Sequence, residues 1–561
     1  MEKRVLIAVL LMGATIMLTN LLFPPAKQAP PAAEAPAAVA PAAPAAAAVS
    51  AALREAAPAQ PARTIVVSSP LYRYSISTRG AAVVGAELLK FDSYLHNGTK
   101  VQLVPEGAPG FLSHRVAIGR DTLDLRAAPF TAEVDSLLLA EGSAPRDLTL
   151  VFTGANGVGA EVTYTFRPDD YLIGVKGRLT GVNATGAQLL TELGPTIAPH
   201  EAPDHRSEQQ LSVVGHTAPK GNLERVRMAK VKGTETIAGP LDWVAMRDKY
   251  FLAAVLTPEQ QPFADAQLRA LPSVRVPASS GKDTLQVPQV QVTAAQPLAA
   301  DGTFAYDVYL GPQEYGRLSA IGHDLEEVTP YSYQWLQPII RPIAAAVIWV
   351  LETLHHTLGW SYGWVLVLFG VLMRVVLWPL NAKAMRAQMK NMGVQPLMQE
   401  IREKYKNDPV KQQEELMKLY REHGFNPMAG CLPMLIPFPV LITLFFVFQN
   451  SIAFRGEQFL WLPDLSLKDP FYILPILVVG SMFALQWLSA KLSGMEQNPQ
   501  MKTMMYVMPL MMGIIFFNLP SGLNLYYATT NLATMPQQIL ISKERRRVQE
   551  ELKKKGPPKK K

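Results

Sequence analysis

Gly363-Trp364-Val365-Leu366-Val367-Leu368-Phe369-Gly370-Val371-Leu372-Met373-Arg374-Val375-Val376-Leu377-Trp378-Pro379-Leu380 is an apolar run long enough to cross a bilayer, and it carries one charge, Arg374. A charge at bilayer depth costs about 2.5–3.5 kcal/mol even on a lenient insertion scale, so the arginine needs a setting that offsets it. Two settings are open. The side chain either snorkels to the nearer membrane surface or faces a wet cavity within the membrane. Lys383, the next cation, lies nine residues on. That is roughly 13 Å along a helix, and a side chain covers only part of it, which favours the cavity.

The rest of the chain fits a membrane setting. Of 561 residues, 49% are hydrophobic, and the net charge is +7. The apolar residues concentrate at the start and after residue 335, while the middle reads as a soluble domain. Six segments approach the length of a spanning helix: 5–23, 361–380, 431–449, 471–489, 503–519 and 523–541. The expected fold class is therefore a polytopic α-helical membrane protein with six transmembrane helices and a large domain outside the membrane. The single cysteine, Cys431, leaves no disulfide to staple any domain. The first segment follows Lys3-Arg4, and its apolar stretch Val5–Phe23 exceeds the 7–15 residues of a cleaved signal. An uncleaved anchor over 1–23 is expected.

Lysine and arginine set the orientation. The 381–429 loop holds nine of them and the 542–561 tail ten, whereas the 451–470 loop has only Arg455 and Lys468. The first two are expected in the cytoplasm and the third outside. Six spans then put both termini inside and the block after residue 24 outside.

Residues 24–63 are almost entirely Ala and Pro, the composition of an extended, semi-rigid tether. Over 64–325 the pattern turns to short alternating strands. In Ala160-Glu161-Val162-Thr163-Tyr164-Thr165-Phe166, the residues Val162, Tyr164 and Phe166 share one face; Tyr171, Ile173 and Val175 repeat the scheme, and 304–310 reads as a late strand. Many strands between Gly/Pro turns predict an all-β sandwich. Over 335–357, Ile339, Ile340, Ile343, Val347, Leu351 and Leu354 recur at helical spacing beside Arg341, Glu352 and His355. This suits an amphipathic helix at the outer interface, with a core-packed helix as the competing view. Within 361–541, residues 383–424 read as a cytoplasmic helical hairpin. One arm carries Leu397, Ile401 and Tyr405, the other Leu416, Leu419 and Tyr420, with Asn407-Asp408-Pro409 as the turn.

Catalytic signatures fail. Ser279-Ser280-Gly281-Lys282-Asp283 lacks the first glycine and the Ser/Thr of a P-loop. His200 and His205 are five apart with Pro203 between them, so one helix face cannot present both to zinc, and a surface loop is expected there. No metal, cofactor or enzymatic activity is expected. Polar residues gather instead on the last span. Asn524, Tyr527, Asn531, Thr534 and Gln538 form a helical stripe that Tyr526, Thr530 and Gln537 extend, and Gln486 adds a polar group in the fourth span. Such a stripe faces hydrogen-bonding partners on neighbouring helices or a water-filled cavity. Proline crowds the start of the third span and, as Pro509, interrupts the fifth, a short span that favours local thinning of the bilayer.

Asn426-Pro427-Met428-Ala429-Gly430-Cys431-Leu432-Pro433, Asp469-Pro470-Phe471-Tyr472-Ile473-Leu474-Pro475-Ile476-Leu477 and Leu519-Pro520-Ser521-Gly522-Leu523-Asn524-Leu525-Tyr526-Tyr527, with Arg374 and Gln537-Gln538, resemble the YidC/Oxa/Alb family of membrane-protein insertases over about 335–541. The N-terminal anchor and large outer domain resemble its Gram-negative form. The resemblance implies a five-helix insertase core, a periplasmic β-supersandwich and a bacterial inner-membrane location. It also implies a hydrophilic groove closed outside but open to the cytoplasm and to lipid, with the arginine inside. Arg374, Gln486, Asn524, Tyr527, Thr530 and Asn531 are the groove candidates. By motif position Phe438, Leu441, Tyr526 and Tyr527 would line the client's exit path. Pro437 stands where the family usually has glutamine. The implied partners are nascent membrane proteins, the Sec translocon with its accessory subunits, the ribosome and membrane lipids. Arg545, Arg546 and Arg547 in the basic tail are candidates to touch ribosomal RNA or anionic lipid. Two rival functions remain at this point: a secondary transporter binding an anion at Arg374, and a non-insertase scaffold for translocation subunits.

Overall fold

Strict alternation of apolar and polar residues builds the first half of the structure. In the strand Gly159–Phe166, Val162, Tyr164 and Phe166 are buried while Glu161 is exposed. That strand pairs antiparallel with Arg146–Thr153 on one side and Leu172–Thr180 on the other, and the latter pairs in turn with Thr303–Pro312. These strands belong to a 14-stranded sheet. A second, five-stranded sheet is formed by Thr64–Ser68, Tyr72–Ser77, Val83–Asp92, Lys100–Gln102 and Ser136–Leu138. Buried tyrosines tie the two sheets together. Tyr74 donates to the Leu310 carbonyl at 2.8 Å, Tyr72 to that of Arg167 at 2.8 Å and Tyr164 to that of Ala81 at 2.6 Å. Each ring fills the sandwich core and each hydroxyl finds an acceptor, which removes the penalty of burying it.

The computed structural model describes residues 62–379, 400–422, 438–493 and 499–555, except 96–97, 106, 109–110, 155–156, 202–209, 219–220, 259–260, 278–283, 332–335, 402 and 407. The expected anchor, most of the Ala/Pro tether, the 279–283 segment, most of the first arm of the hairpin and the 426–433 motif with Pro437 lie outside the described residues. The described residues all belong to one compact unit, Ala48–Lys561.

After the last strand come α1 (Tyr315–Ile321), α2 (Gln337–Leu358), α3 (Tyr362–Val376), α4 (Pro409–Glu422), α5 (Phe438–Asn450), α6 (Ile473–Ser493), α7 (Pro499–Phe516) and α8 (Ser521–Lys555). Helix α2 ends at Gly359, whose φ of 64° is the left-handed conformation that glycine adopts without strain. Its buried face is Ile340, Ala344, Val347, Ile348 and Leu351, the last four packed with α3 and α5 in a second apolar core, while Ile339 and Trp349 are exposed. Among the described residues only α2 has both the length and the apolarity of a self-sufficient span; Tyr362–Val376 and Ile473–Leu488 are apolar but shorter. The other core helices are shortened, or carry polar and charged residues along their length.

Exposure in this bundle is inverted relative to a soluble protein. Ile476, Leu510, Ile514 and Val375 are exposed on its exterior, whereas Asn524 and Gln537 are buried within it. An apolar exterior of this extent marks a surface made for lipid or a partner. One sequence expectation needs correction. His200 is buried, its Nε2 2.6 Å from the Gln102 carbonyl, and Glu201 beside it is buried too, so these two residues are packed rather than on a surface loop; His205 lies outside the described residues. Helix α8 runs on past the expected span to Lys555, because Glu, Lys and Arg continue a strong helix-forming composition.

Candidate functional site

Arg374 lies in the last turn of α3, and α3 packs along α8. The approach is close because Gly370, one turn earlier, has no side chain: a Cβ there would lie 3.2 Å from Thr529 Cγ2 and 3.3 Å from the Thr530 hydroxyl. Phe369 and Tyr526 meet beside it with ring centroids 5.9 Å apart. Tyr526 lies on the α8 face that meets α3 near Arg374. The guanidinium Nε is buried and makes no hydrogen bond among the described residues. The same holds for both side-chain polar atoms of Gln537.

The polar residues of α8 fall on two faces. At 100° per residue Tyr526, Thr530 and Gln537 share one face, and Thr530 places it toward α3. Asn524, Tyr527 and Asn531 lie on the other, toward α6 and α7. There Asn531 donates to the Ser481 hydroxyl at 2.9 Å, Asn524 to the Phe516 carbonyl at 3.1 Å, and Tyr527 packs on Phe516 at 5.1 Å. Arg374 therefore faces the Tyr526–Gln537 side rather than the Asn524–Gln538 stripe. The reason is the 100° turn: residues seven apart share a stripe, while Tyr527 is set 100° round from Tyr526, the two rings still meeting edge to face at 5.5 Å. Thr530 and Thr534 turn their hydroxyls back onto the carbonyls of Tyr526 and Thr530 at 2.8 and 2.6 Å, which hides their polarity within the helix. Gln486 is half-buried on α6.

Of the exit-path candidates, Tyr526 is buried between Phe369 of α3 and Phe448 of α5, the latter at 5.5 Å. Phe438 and Leu441 belong to α5, but their side chains lie outside the described residues, as do those of Arg545 and Arg546; Arg547 is exposed on α8. No cluster of three metal-ligating side chains occurs among the described residues.

Two family models cover the chain in succession, the YidC periplasmic domain over residues 64–346 and the 60Kd inner membrane protein over 353–549. The membrane protein insertase YidC of Geobacter metallireducens is 30% identical over 97% of this chain and 98% of its own length. That of Cupriavidus taiwanensis is 33% identical over 86% of this chain and 83% of its own. The chain belongs to the YidC family of membrane-protein insertases. Like its YidC relatives it is an insertase and not an enzyme, and it combines inner-membrane helices with a periplasmic β-sandwich. Among solved structures, a YidC insertase crystal structure matches with TM-score 0.33 and 18% identity over 86% of this chain and 95% of that one. A galactose mutarotase related enzyme from Lactobacillus acidophilus matches with TM-score 0.27 and 10% identity over 44% of this chain and 97% of that one. Likenesses at that level carry no functional argument.

Sequence reasoning missed the segment 451–470 as part of the site. Its buried aromatic and leucine residues, Phe459, Leu462 and Leu465, cover the outer end of the helices. The signal in the sequence was its scarcity of lysine and arginine, Arg455 and Lys468 alone.

Proposed function

We propose that clients enter a hydrophilic groove bounded by α3, α5, α6 and α8, with Arg374 and Thr530 on its α3 side and Gln486, Asn524, Tyr527 and Asn531 contributing from its α6 side. The groove is open toward the cytoplasm and lipid and closed outside. One observation carries this reading: Arg374 Nε and the Gln537 amide are buried without hydrogen-bond partners among the described residues, inside a bundle whose exterior is apolar. Burying such groups without water or a polar guest is costly. A client's polar tail, drawn in by Arg374 when it carries Asp or Glu, satisfies them for the time of passage. Its apolar segment then leaves between α5 and α7 past Phe438, Leu441, Tyr526 and Tyr527. About 20 apolar residues at roughly −0.5 kcal/mol each release on the order of 10 kcal/mol, so no nucleotide is needed.

In this reading the chain has six spans, residues 5–23 being the first, with both termini in the cytoplasm and 335–357 at the outer interface. Arg545, Arg546 and Arg547 engage the ribosome or anionic lipid, and the Sec translocon with its accessory subunits receives or delivers clients. Purified protein in liposomes tests the groove. Arg374→Lys keeps insertion of a short client, whereas Arg374→Leu slows clients with acidic tails about tenfold, the effect of one charge-assisted contact, and neutral ones little. Equal insertion of acidic and neutral clients by Arg374→Leu would remove the electrostatic role. Anion uptake without insertion would replace the insertion groove by a transport site.

A further inference from the structure

Between α5 and α6 the chain folds back across the outer end of the bundle as residues 451–470. Phe459 and Leu462 exchange both backbone hydrogen bonds, at 3.0 and 2.8 Å, and the Phe459 ring rests on Gly363, where there is no room for a Cβ. The carbonyls of Leu467 and Leu465 accept from Ser521 N at 2.7 Å and Gly522 N at 2.8 Å. They satisfy amides at the start of α8 that have no partner within the helix. The segment thus holds the start of the helix that carries Asn524, Tyr526 and Tyr527.

The β-sandwich grips the same segment. Arg455 pairs with Glu201 at 2.8 Å, donates to the Asp92 carbonyl at 2.7 Å and lies 4.1 Å over the Tyr94 ring. Arg455 and Glu201 are only 3% and 0% exposed. Asp464 joins three elements. Its carboxylate accepts from the Tyr94 hydroxyl at 2.5 Å, Gly456 N at 2.9 Å and Ser466 N at 2.6 Å, and its backbone carbonyl accepts from the Ser521 hydroxyl at 3.0 Å. Parting the β-sandwich from the segment would strand a buried guanidinium and a buried carboxylate, so the two surfaces separate together or not at all.

We propose that the periplasmic β-sandwich is a clamp on the 451–470 segment, and that Arg455 and Asp464 are positioning residues for insertion. By holding that segment down they keep the groove shut on the outer side and α8 in register, so that a client leaves toward lipid. The proposal rests on the groove reading above and assigns the clamp to Tyr94, Glu201, Arg455 and Asp464.

Full-length protein in vesicles with the β-sandwich outward tests it, in a Cys431→Ser background with a reporter Leu523→Cys beneath the segment. A membrane-impermeant maleimide added outside reads the seal. Tyr94→Phe, which removes one oxygen, raises the labelling rate about tenfold, as expected for losing a hydrogen bond to a charged group, and Glu201→Gln raises it further. Both slow insertion of a short client; in Tyr94→Phe the thermal midpoint stays near the parent's, whereas Glu201→Gln lowers it by leaving Arg455 unpaired. Glu87→Gln, which loses only the surface partner of Arg73, leaves labelling unchanged. If Glu201→Gln does not fold, Tyr94→Phe decides alone. Parental labelling in Tyr94→Phe overturns the clamp. A separate reporter, Thr530→Cys, probed from the inner side, judges the groove: its failure to label counts against that reading and leaves the Leu523 result to judge the clamp.

Discussion

Arg374 and Gln537 bury polar atoms that make no hydrogen bond among the described residues, whereas His114 is buried with a ring nitrogen 2.6 Å from the Tyr306 hydroxyl. The first pair suits a surface that is wet or occupied at work; the second is a permanent part of the sandwich core. Burial pushes the His114 imidazole down from 6.5 to about 4. Between those values the unfolded chain takes up a proton that the folded chain refuses. The contribution of neutral His114 is therefore complete above pH 6.5 and is lost as pH falls to 4, a change on the order of 3 kcal/mol. Asp248 acts in the opposite sense. Burial pushes its carboxyl up to about 7, so its contribution is present below its ordinary value and is lost as pH rises to 7. Comparing the parent with His114→Phe separates the two. The gap in β-domain unfolding midpoint narrows as pH falls from 6.5 to 4, and a pH-independent gap would show that the folded imidazole titrates normally.

The sandwich strands follow from alternation, and their sheets are joined by tyrosine hydroxyls reaching across to backbone carbonyls. The membrane helices follow a different rule, because their apolar residues face outward and their small residues set how closely neighbours approach. Gly370 admits α8 to α3, and Gly363 admits Phe459 to the outer end of α3. Gly363→Ala should therefore displace the 451–470 segment, at about 1–3 kcal/mol for an overpacked site. Limited proteolysis of that segment in intact vesicles measures it, with faster cleavage expected in the variant. Unchanged protection would mean that the ring shifts at no cost and the glycine sets nothing. On α8, the adjacent rings of Tyr526 and Tyr527 meet at 5.5 Å, and each also packs on a different neighbour, Tyr526 on Phe448 and Tyr527 on Phe516.

Helix α8 has 35 residues, about 52 Å at 1.5 Å per residue, against a hydrocarbon core of about 30 Å. With its outer end held beneath the 451–470 segment, the surplus carries Arg545, Arg546 and Arg547 past the membrane as a continuous arm. Replacing the three arginines by glutamine should weaken co-sedimentation with ribosomes and reduce the slope of log affinity against log salt by about 2–3. Insertion of a short client without ribosomes should not change. A parental slope would assign the arginines to lipid, which vesicles with and without anionic headgroups would register.

The family and the β-sandwich were legible in the sequence, as was the clustering of polar residues on the last helix. Period-2 and helical apolar patterns, charge asymmetry between loops, and motifs such as 519–527 are properties of neighbouring residues, and neighbours are what a sequence displays. What Arg374 faces, where Asn531 bonds and why Glu201 is buried were not legible. Those depend on which of two faces of α8 meets α3 and on contacts spanning hundreds of residues, such as Arg455 with Glu201 and Tyr94 with Asp464. A buried ion pair forms only after both surfaces are folded and brought together, so no local pattern announces it. The residue types and spacing determined that this chain is a membrane insertase with a periplasmic β-sandwich. Only the tertiary packing decided that the β-sandwich grips the segment lying across the ends of the helices, because Arg455 and Glu201 meet only once both surfaces are folded.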